Sequence, residues 1–234
     1  MTITYRSDVT VKAVRTSSTD DDVTQAARVS TLGAEAVDAQ GSTKGLINFL
    51  MRDRHGSPFE HNSFTFYIEA PIFVAREFFR HRAGWSYNEE SGRYKELNPV
   101  FYLPAPGRPL VQVGKPGAYT FEPGTDLHYT VTSGVATEAY RHAWSSYQVQ
   151  LRAGIAREVA RNVLPVAAYT SFLATCNARS LMHFLSLRTS KENAKVPSFP
   201  LREIAMVAEG MEAHFAEQMP VTHGAFEKHG RVAP

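Results

Sequence analysis

The chain has 234 residues, of which 43% are hydrophobic and 21% are charged, and this composition is typical of a folded globular protein rather than a disordered one. The formal net charge is only +2, and no apolar run approaches the roughly 20 residues of a membrane span, so neither nucleic acid nor a membrane is an expected partner. The single cysteine, Cys176, excludes an internal disulfide and a multi-cysteine metal site, and it favours a reducing, cytoplasmic location.

The first predicted elements are a strand and two helices. Alternating apolar residues predict a strand over residues 8–14. Three aspartates then open a helix over residues 20–29, at the end where acids are favoured. Ser42 is the expected N-cap of a second helix, which stops near Gly56.

A turn, a strand and an apolar helix follow. Residues 57–60 read Ser-Pro-Phe-Glu, the pattern of a capping box with proline at the first helical position. Residues 63–70 alternate apolar and polar side chains and predict a strand with one buried face. Pro71 begins an apolar helix that runs into Arg80.

The second half is predicted to be mainly helical. Residues 99–124 contain six prolines and four glycines, which predict an irregular surface excursion. The later elements are a long helix over 127–155, a shorter helix that ends at Leu164, a strand over 167–175, and helices over 177–189 and 200–218. Helices and strands without a βαβ repeat predict an α+β fold, with an antiparallel or mixed sheet packed by helices plus a helical part. There is no clear linker, so we expect a single domain spanning residues 1–234.

The densest polar stretch is RHRAGWSYNEESGRY, which spans residues 80–94 and follows an apolar segment. Cations combined with backbone donors suit a phosphate or another anion, and the carboxylates of Glu89 and Glu90 can orient a sugar hydroxyl or move a proton. Two simpler interpretations stay open. Cations at a helix end complement its dipole, and charges in a loop can simply be solvated.

Three further segments carry candidate chemistry. In HGSPFEH, residues 55–61, Ser57 offers a hydroxyl and amides at a helix start, although capping alone explains it. In NARSLMHFLSLR, residues 177–188, the last arginine lies on the apolar stripe of the helix. It therefore needs an anionic partner, which is either a structural carboxylate or a charged ligand. In REVARNVLP, residues 157–165, Arg161 is either an anion ligand or a last-turn cation.

Together these segments resemble the flavin-dependent thymidylate synthases. Eight residues separate Arg82, the end of the Arg-His-Arg motif, from Ser91, with Asn-Glu between them and Arg-Tyr after them. HGSPFEH, REVARNVLP and NARSLMxFLxLR also match, so the resemblance covers residues from about 40 to 190. The sequence contains neither GxGxxG nor GxxxxGK[ST], which agrees with the resemblance, because it implies a flavin bound without a Rossmann turn.

The resemblance implies the conversion of dUMP to dTMP, with methylenetetrahydrofolate as carbon donor, NADPH as reductant and FAD as the carrier of hydride. It also implies a homotetramer in which several subunits contribute to each active site. No metal is expected.

The resemblance assigns roles to individual residues. Arg188 is expected to act on the pyrimidine by stabilising negative charge. The expected dUMP ligands are Glu77, Phe78, Phe79, Arg80, Glu89, Glu90, Ser91, Gly92, Arg93, Arg161 and Arg188. The expected FAD ligands are Ser57, Arg80, His81, Arg82, Glu89, Asn177, Arg179 and His183. Glu77 departs from the family, where glutamine is common, and its carboxylate is tolerable near a phosphate only if it pairs with Arg76 or Arg80.

Two other classes of function stay open. One is a metal-dependent nucleotide phosphohydrolase that uses His55, Glu60, His61 and His81 with the arginines as phosphate clamps. The other is a non-catalytic nucleotide-binding module. As nucleophiles, Ser91 lacks an adjacent base and Cys176 has the context of a buried, inert thiol, so both are expected to be chemically silent.

Overall fold

The computed structural model describes residues 2–37, 43–115 and 118–234. In these ranges the strands are β1 (Thr4–Arg6), β2 (Thr10–Ser17), β3 (Ser63–Pro71), β4 (Trp85–Glu89), β5 (Val100–Tyr102), β6 (Val111–Lys115), β7 (Ala118–Glu122) and β8 (Tyr169–Cys176). The α-helices are α1 (Asp20–Leu32), α2 (Thr43–Arg52), α3 (Ile72–Phe78), α4 (Asp126–Arg152), α5 (Arg157–Ala160), α6 (Ala178–Arg188), α7 (Arg202–Gln218) and α8 (Pro220–Lys228). Three 3₁₀ turns span Gly33–Val37, Ser57–Glu60 and Arg161–Val163. The predicted α+β class is confirmed.

The chain forms two compact units. The first contains Met1–Asp8, Pro71–Phe73 and Glu90–Thr170. The second contains Val9–Ala70, Val74–Glu89 and Ser171–Pro234. The predicted strands and helices fall in both units, and most of the polar motifs fall in the second.

The first unit is built around the long helix α4. Its N-terminus is closed by a capping box between Thr125 and His128, which satisfies free amides of the first turn. Strand β1 pairs in parallel with β5, and β6 and β7 form an antiparallel hairpin. The buried core is aromatic and contains Phe101, Trp144 and Tyr147.

The second unit contains a four-stranded sheet in the order β2-β3-β8-β4. β2 pairs antiparallel with β3, and β4 pairs antiparallel with β8. The alternation that predicted β3 is confirmed, because Phe64, Phe66 and Ile68 are fully buried. The hydroxyls of Thr65 and Thr175 lie 2.9 Å apart and link β3 to β8.

Helices α6, α7 and α8 complete this unit. The predicted apolar stripe of α7 is buried along its length, from Ile204 to Phe215. Helix α8 was not predicted, because its pattern is weak. It begins at Pro220, where the carboxylate of Asp20 accepts hydrogen bonds from the amides of Val221 and Thr222 at 2.9 and 2.8 Å. A side chain from the other end of the sequence therefore caps the helix.

Three sequence predictions were wrong in part. Residues 99–124 are not wholly irregular, because strands β5, β6 and β7 lie there and the described prolines stand outside them. The capping box at 57–60 does not form, since the turn is a 3₁₀ helix whose N-cap, Gly56, has no side chain to bond. The polar run after Arg82 is not a loop throughout, because β4 pairs with β8 as far as Glu89. The predicted cap Ser42 lies outside the described residues.

Among the described residues, the structure contains no helix that is both long and apolar enough to cross a membrane.

Candidate active site

Helix α6 positions most of the candidate site in the second unit. It begins after Asn177, whose side-chain oxygen accepts a hydrogen bond from the Ser180 amide at 2.9 Å and so caps the helix. It ends at Arg188, eleven residues after the cap. One short helix therefore holds polar groups at both of its ends.

A cavity of about 540 Å³ opens beside the first turns of α6. Its walls include Arg54, Glu60, Gly84, Asn177, Arg179 and His183. Three residues assigned to FAD from the sequence, Asn177, Arg179 and His183, thus share one cavity. The structure does not place Ser57, Arg80 or Arg82 in its walls.

The guanidinium of Arg179 is fixed from two sides. Its Nε donates to the carbonyl of Pro234 at 2.7 Å, and its Nη1 donates to Glu60 Oε1 at 2.5 Å. A Cβ on Gly56 would lie 2.5 Å from Cζ of Arg179, so a larger residue at this position would displace the guanidinium. The glycine in HGSPFEH, which the sequence marks only as the end of a helix, thus lies against a cavity residue.

A second glycine shapes the same wall. Gly84 has φ +71°, and a Cβ there would lie 2.1 Å from Oγ of Ser180. That hydroxyl donates to the carbonyl of Ala83 at 3.0 Å. The turn after the Arg-His-Arg motif is therefore packed directly onto the start of α6.

Arg188 forms the centre of a second group of polar side chains. Its Nη1 pairs with the carboxylate of Glu77, and its Nε donates to Nε2 of His81 at 3.0 Å. The prediction that Arg188 needs an anionic partner is confirmed. The predicted partner of Glu77 was wrong: in the structure it is Arg188 rather than Arg76 or Arg80, because α3 ends at Phe78 and leaves Glu77 facing the end of α6.

His81 is not a cation near neutral pH, which corrects its interpretation as part of a cationic cluster. Burial, together with the charges of Arg188 and His183, lowers its pKa from 6.5 to about 4. Since Arg188 donates to Nε2, the neutral ring carries its proton on Nδ1. The ring of His81 lies 6.4 Å from that of His183, so the Arg188 group adjoins a cavity residue.

Two of the predicted dUMP ligands pack against other aromatic rings. Phe78 is fully buried, and its ring contacts those of Phe172 and Phe184 at 5.3 and 4.6 Å. Phe79 packs against Tyr87 at 4.8 Å. The Phe78 side chain therefore belongs to the core, which leaves its backbone for any ligand contact.

In the first unit, the Ser91–Arg93 turn forms its own polar group. Oγ of Ser91 accepts a hydrogen bond from the Arg93 amide at 3.2 Å, and Arg93 pairs with Glu158 at 2.9 Å. Glu90 pairs with Lys95 at 2.6 Å. A Cβ on Gly92 would lie 3.2 Å from Cδ of Arg161, so this turn and Arg161 are neighbours. The structure thus brings together Ser91, Gly92, Arg93 and Arg161, as the sequence predicts.

The residues proposed for a metal site do not come together. His55 stacks on Phe49, Glu60 binds Arg179, and His61 lines a separate cavity of about 340 Å³. Within the described ranges, the group with metal-ligand spacing is Glu212, His223 and Glu227, which contains none of them. The phosphohydrolase alternative gains no support.

Cys176 is buried at the end of β8, opposite Trp85 of β4. Burial raises the pKa of its thiol well above the usual value, so the thiolate is disfavoured. The expectation of a buried thiol is confirmed.

Comparisons with known proteins agree with these motifs. The family model Thy1, thymidylate synthase complementing protein, matches residues 10–221. Flavin-dependent thymidylate synthases of Streptomyces avermitilis and Tropheryma whipplei are 62% and 53% identical, and the alignments cover 98% of this chain and 95% and 97% of the relatives.

Solved structures are similar over nearly the whole chain as well. Crystal structures of the UMP/dUMP methylase PolB from Streptomyces cacaoi, bound with 5-Br UMP and 5-Br dUMP, are 53% and 54% identical. Their TM-scores are 0.93 and 0.94, and the matches cover 99% of this chain and 99% and 100% of theirs. Motifs, fold and relatives together show that this chain belongs to the family of the flavin-dependent thymidylate synthases.

Proposed function

We propose that this protein is an FAD-dependent methyltransferase that converts dUMP to dTMP, with methylenetetrahydrofolate as carbon donor and NADPH as reductant. The observation that carries the proposal is the cavity of the second unit, which gathers Asn177, Arg179 and His183 on one wall. His183 in turn adjoins the Arg188 group through the ring of His81. The names of the relatives support the same reaction.

The donor chemistry of the cavity fits FAD. Two guanidinium groups, Arg54 and Arg179, line it together with the amide of Asn177 and the hydroxyl of Ser180, and Glu60 adds a side-chain carboxylate. Such donors suit a diphosphate. When bound, FAD supplies the hydride transfer, and the protein supplies binding, orientation and charge. We propose that Ser57, Arg80, His81, Arg82 and Glu89 add further contacts to this cofactor.

The nucleotide contacts are proposed to come from the remaining predicted residues. Arg161 and the Ser91–Arg93 turn offer guanidinium, hydroxyl and amide donors for the phosphate of dUMP. Glu77, Phe78, Phe79, Arg80, Glu89 and Glu90 are the other proposed contacts.

Arg188 is the proposed catalytic residue. Its guanidinium, a planar cation, stabilises negative charge that develops on the pyrimidine. Glu77 and neutral His81 hold it by Nη1 and Nε, so its orientation is set before a ligand arrives. His81, uncharged and accepting through Nε2, serves here as an acceptor rather than as an acid.

We propose that residues 1–234 act as one functional domain within a homotetramer in the cytoplasm. The family match covers 10–221 and so runs through both units. Helix α4 carries an exposed stripe, with Leu127, Val131 and Val135 exposed by 68%, 52% and 67% at intervals of four residues, as expected of a face that another subunit covers. Analytical ultracentrifugation tests the assembly, and a monomer that still binds FAD would contradict it.

The colour of the purified protein tests the function most directly. We expect a yellow protein whose flavin absorbance bleaches with NADPH and which forms dTMP from dUMP and methylenetetrahydrofolate. A colourless protein that takes up no added FAD would contradict the proposal. Binding of FAD and dUMP without any turnover would instead support the non-catalytic nucleotide-binding module.

A second candidate substrate is UMP. The solved structures with 53% and 54% identity are described as a UMP/dUMP methylase and contain analogues of both nucleotides. Competition between equal concentrations of UMP and dUMP, followed by chromatography of the products, measures the preference. Equal yields of the two methylated products would make the protein a methylase of both nucleotides.

A further inference from the structure

The last residues of the chain form part of the cavity wall. The carbonyl of Ala233 accepts a hydrogen bond from Nη2 of Arg54 at 3.0 Å, and the carbonyl of Pro234 accepts one from Nε of Arg179 at 2.7 Å. Ala233 and Pro234 line the same cavity as Arg54 and Arg179. Two main-chain oxygens, of Ala233 and Pro234, thus hold the two guanidinium groups of the cavity.

The backbone that delivers this segment is held in an unusual conformation. Of the described non-glycine residues, Arg54 and Arg231 alone have positive φ, at 61° and 56°. Arg54 lines the cavity, and Arg231 begins the segment that reaches it. A side chain in the left-handed region is strained, and such strain persists where the surroundings impose it.

The turn at 230–231 is packed from outside as well. Gly230 has φ +79°, and a Cβ there would lie 2.9 Å from Cβ of Lys195. Its carbonyl accepts a hydrogen bond from the Lys195 amide at 2.9 Å, and the Arg231 amide donates to the carbonyl of Phe226 at 2.9 Å. The direction in which residues 232–234 leave the turn is therefore well defined.

The side chain of Arg231 explains why a strained arginine stands at this turn. It is only 2% exposed, and its Nη1 contacts Glu212 at 2.6 Å and also pairs with Glu227. Its Nη2 donates to Oγ1 of Thr189 at 2.8 Å, directly after the end of α6. A guanidinium makes these separate bonds at fixed angles, whereas an ammonium acts as a single charge.

The acidic group around Arg231 has the spacing of a metal site, formed by Glu212, His223 and Glu227. The guanidinium of Arg231 occupies the position of the cation, since it binds both carboxylates. Burial alone would raise the pKa of Glu212, but hydrogen bonds from His223 and Arg231 lower it to about 2. Glu212 is thus a charged partner of Arg231 at working pH.

We propose that Arg231 is a positioning residue for the cofactor cavity: its buried ion pairs fix the turn from which Ala233 and Pro234 reach Arg54 and Arg179 and orient both guanidinium groups toward an anionic ligand. Arg54 thereby becomes a further ligand of the cofactor, next to Arg179. The inference rests on the proposed function, because it takes FAD as the occupant of the cavity. Orienting the two arginines before binding reduces the entropy that the ligand must overcome.

The test separates an effect transmitted through residues 233–234 from a loss of stability alone. Four proteins are compared: the wild type, a variant lacking residues 233 and 234, Arg231→Met, and the combination. The dissociation constant of FAD is measured from its fluorescence, and thermal unfolding is followed in parallel. Arg202→Met is the matched control, because Arg202 forms an exposed pair with Glu209 on α7, the helix that also carries Glu212.

We expect removal of residues 233 and 234 to weaken FAD binding about tenfold, as the loss of preorganisation of two charged donors implies. Arg231→Met weakens it by a similar factor and also lowers the melting temperature, because Glu212 and Glu227 lose their partner. The combination weakens FAD binding no more than either change alone. Arg202→Met leaves FAD affinity unchanged.

Three results would overturn the inference. The first is that removal of residues 233 and 234 leaves the FAD affinity unchanged. The second is that this removal tightens FAD binding, which would mean that the main-chain oxygens compete with the ligand. The third is that the effects of the removal and of Arg231→Met on FAD affinity add fully in the combination. If Arg231→Met does not fold, the FAD affinity of the variant lacking residues 233 and 234 decides whether the inference holds. A wild-type protein that takes up no FAD would overturn the proposed function together with this inference, whereas unchanged variants of a flavin-binding wild type overturn the inference alone.

Discussion

The Arg188 group and the Ser91–Arg93 turn are built from the same kinds of residue, yet their surroundings differ. Arg188 and Glu77 are 20% and 27% exposed, and Arg188 also bonds to a neutral histidine, whereas Arg93 and Glu158 are 54% and 53% exposed. Water screens the second pair and weakens its contribution to stability. In the Arg188 group, each polar side chain depends on its neighbour, because an unpaired buried charge is costly. The comparison shows that burial, more than residue type, decides what a charged motif contributes.

The largest expected effect is on catalysis by Arg188→Ala. If Arg188 stabilises charge on the pyrimidine, dTMP formation falls by about 10²–10³-fold, the usual cost of losing one such group. FAD binding persists, because the cavity residues do not include Arg188. Steady-state turnover and flavin absorbance measure the two effects, and turnover at the wild-type rate would refute the role of Arg188.

The second effect is on acid stability and comes from His81. Its pKa is 6.5 in the unfolded chain and about 4 in the folded one, so the folded protein disfavours the proton. Its contribution to stability is complete above pH 6.5 and is lost as the pH falls to 4, by roughly 3 kcal/mol in total.

Urea unfolding of the wild type and His81→Gln across this range measures that contribution. Glutamine keeps an acceptor for Arg188 but does not titrate, so the wild type should lose more stability than the variant between pH 6.5 and 4. Glu212 does not interfere in most of this window. Because its pKa is lowered from 4.5 to about 2, its contribution to stability is lost only below pH 4.5. Parallel curves for the two proteins would contradict the neutral state of His81.

A smaller effect is expected from Glu77→Gln, which introduces the residue that is common in the family. The amide keeps a hydrogen bond to Arg188 but removes the ion pair, which costs about 1–2 kcal/mol of unfolding free energy at this partly exposed site. The guanidinium then carries an uncompensated charge, so dUMP should bind several-fold more tightly. Calorimetry measures both quantities, and weaker dUMP binding would show that the contact proposed for Glu77 is made by its carboxylate and outweighs the gain from Arg188.

The smallest effect on stability is expected at the exposed turn. Arg93→Ala breaks the pair with Glu158 and should change the unfolding free energy by less than about 1 kcal/mol. It should nevertheless weaken dUMP binding, because it removes a phosphate donor. Glu158→Ala is the matched control, since it breaks the same ion pair and keeps the guanidinium. Equal dUMP affinities for both variants would argue against a phosphate contact by Arg93.

Much of the fold and part of the site were predictable because their signals are local. Alternation in residues 63–70 and the apolar stripe of α7 report burial directly, and Asn177 has the side chain that an N-cap requires. Strand β4 and helix α8 were not predictable in this way. β4 is polar and is stabilised by pairing with β8, and α8 is capped by Asp20 from the other end of the chain.

The sequence by itself determined the α+β class, the polar motifs and the need of Arg188 for an anionic partner, since each follows from neighbours along the chain. The tertiary structure decided that this partner is Glu77, that His81 is neutral, and that Arg179 is held by Pro234 and Glu60. Each of these depends on groups at least 55 residues apart in the sequence being packed together, and the Arg188 group is in addition largely shielded from water. Desolvation and pairing set the charge state of a side chain, and both arise only when distant parts of the chain meet.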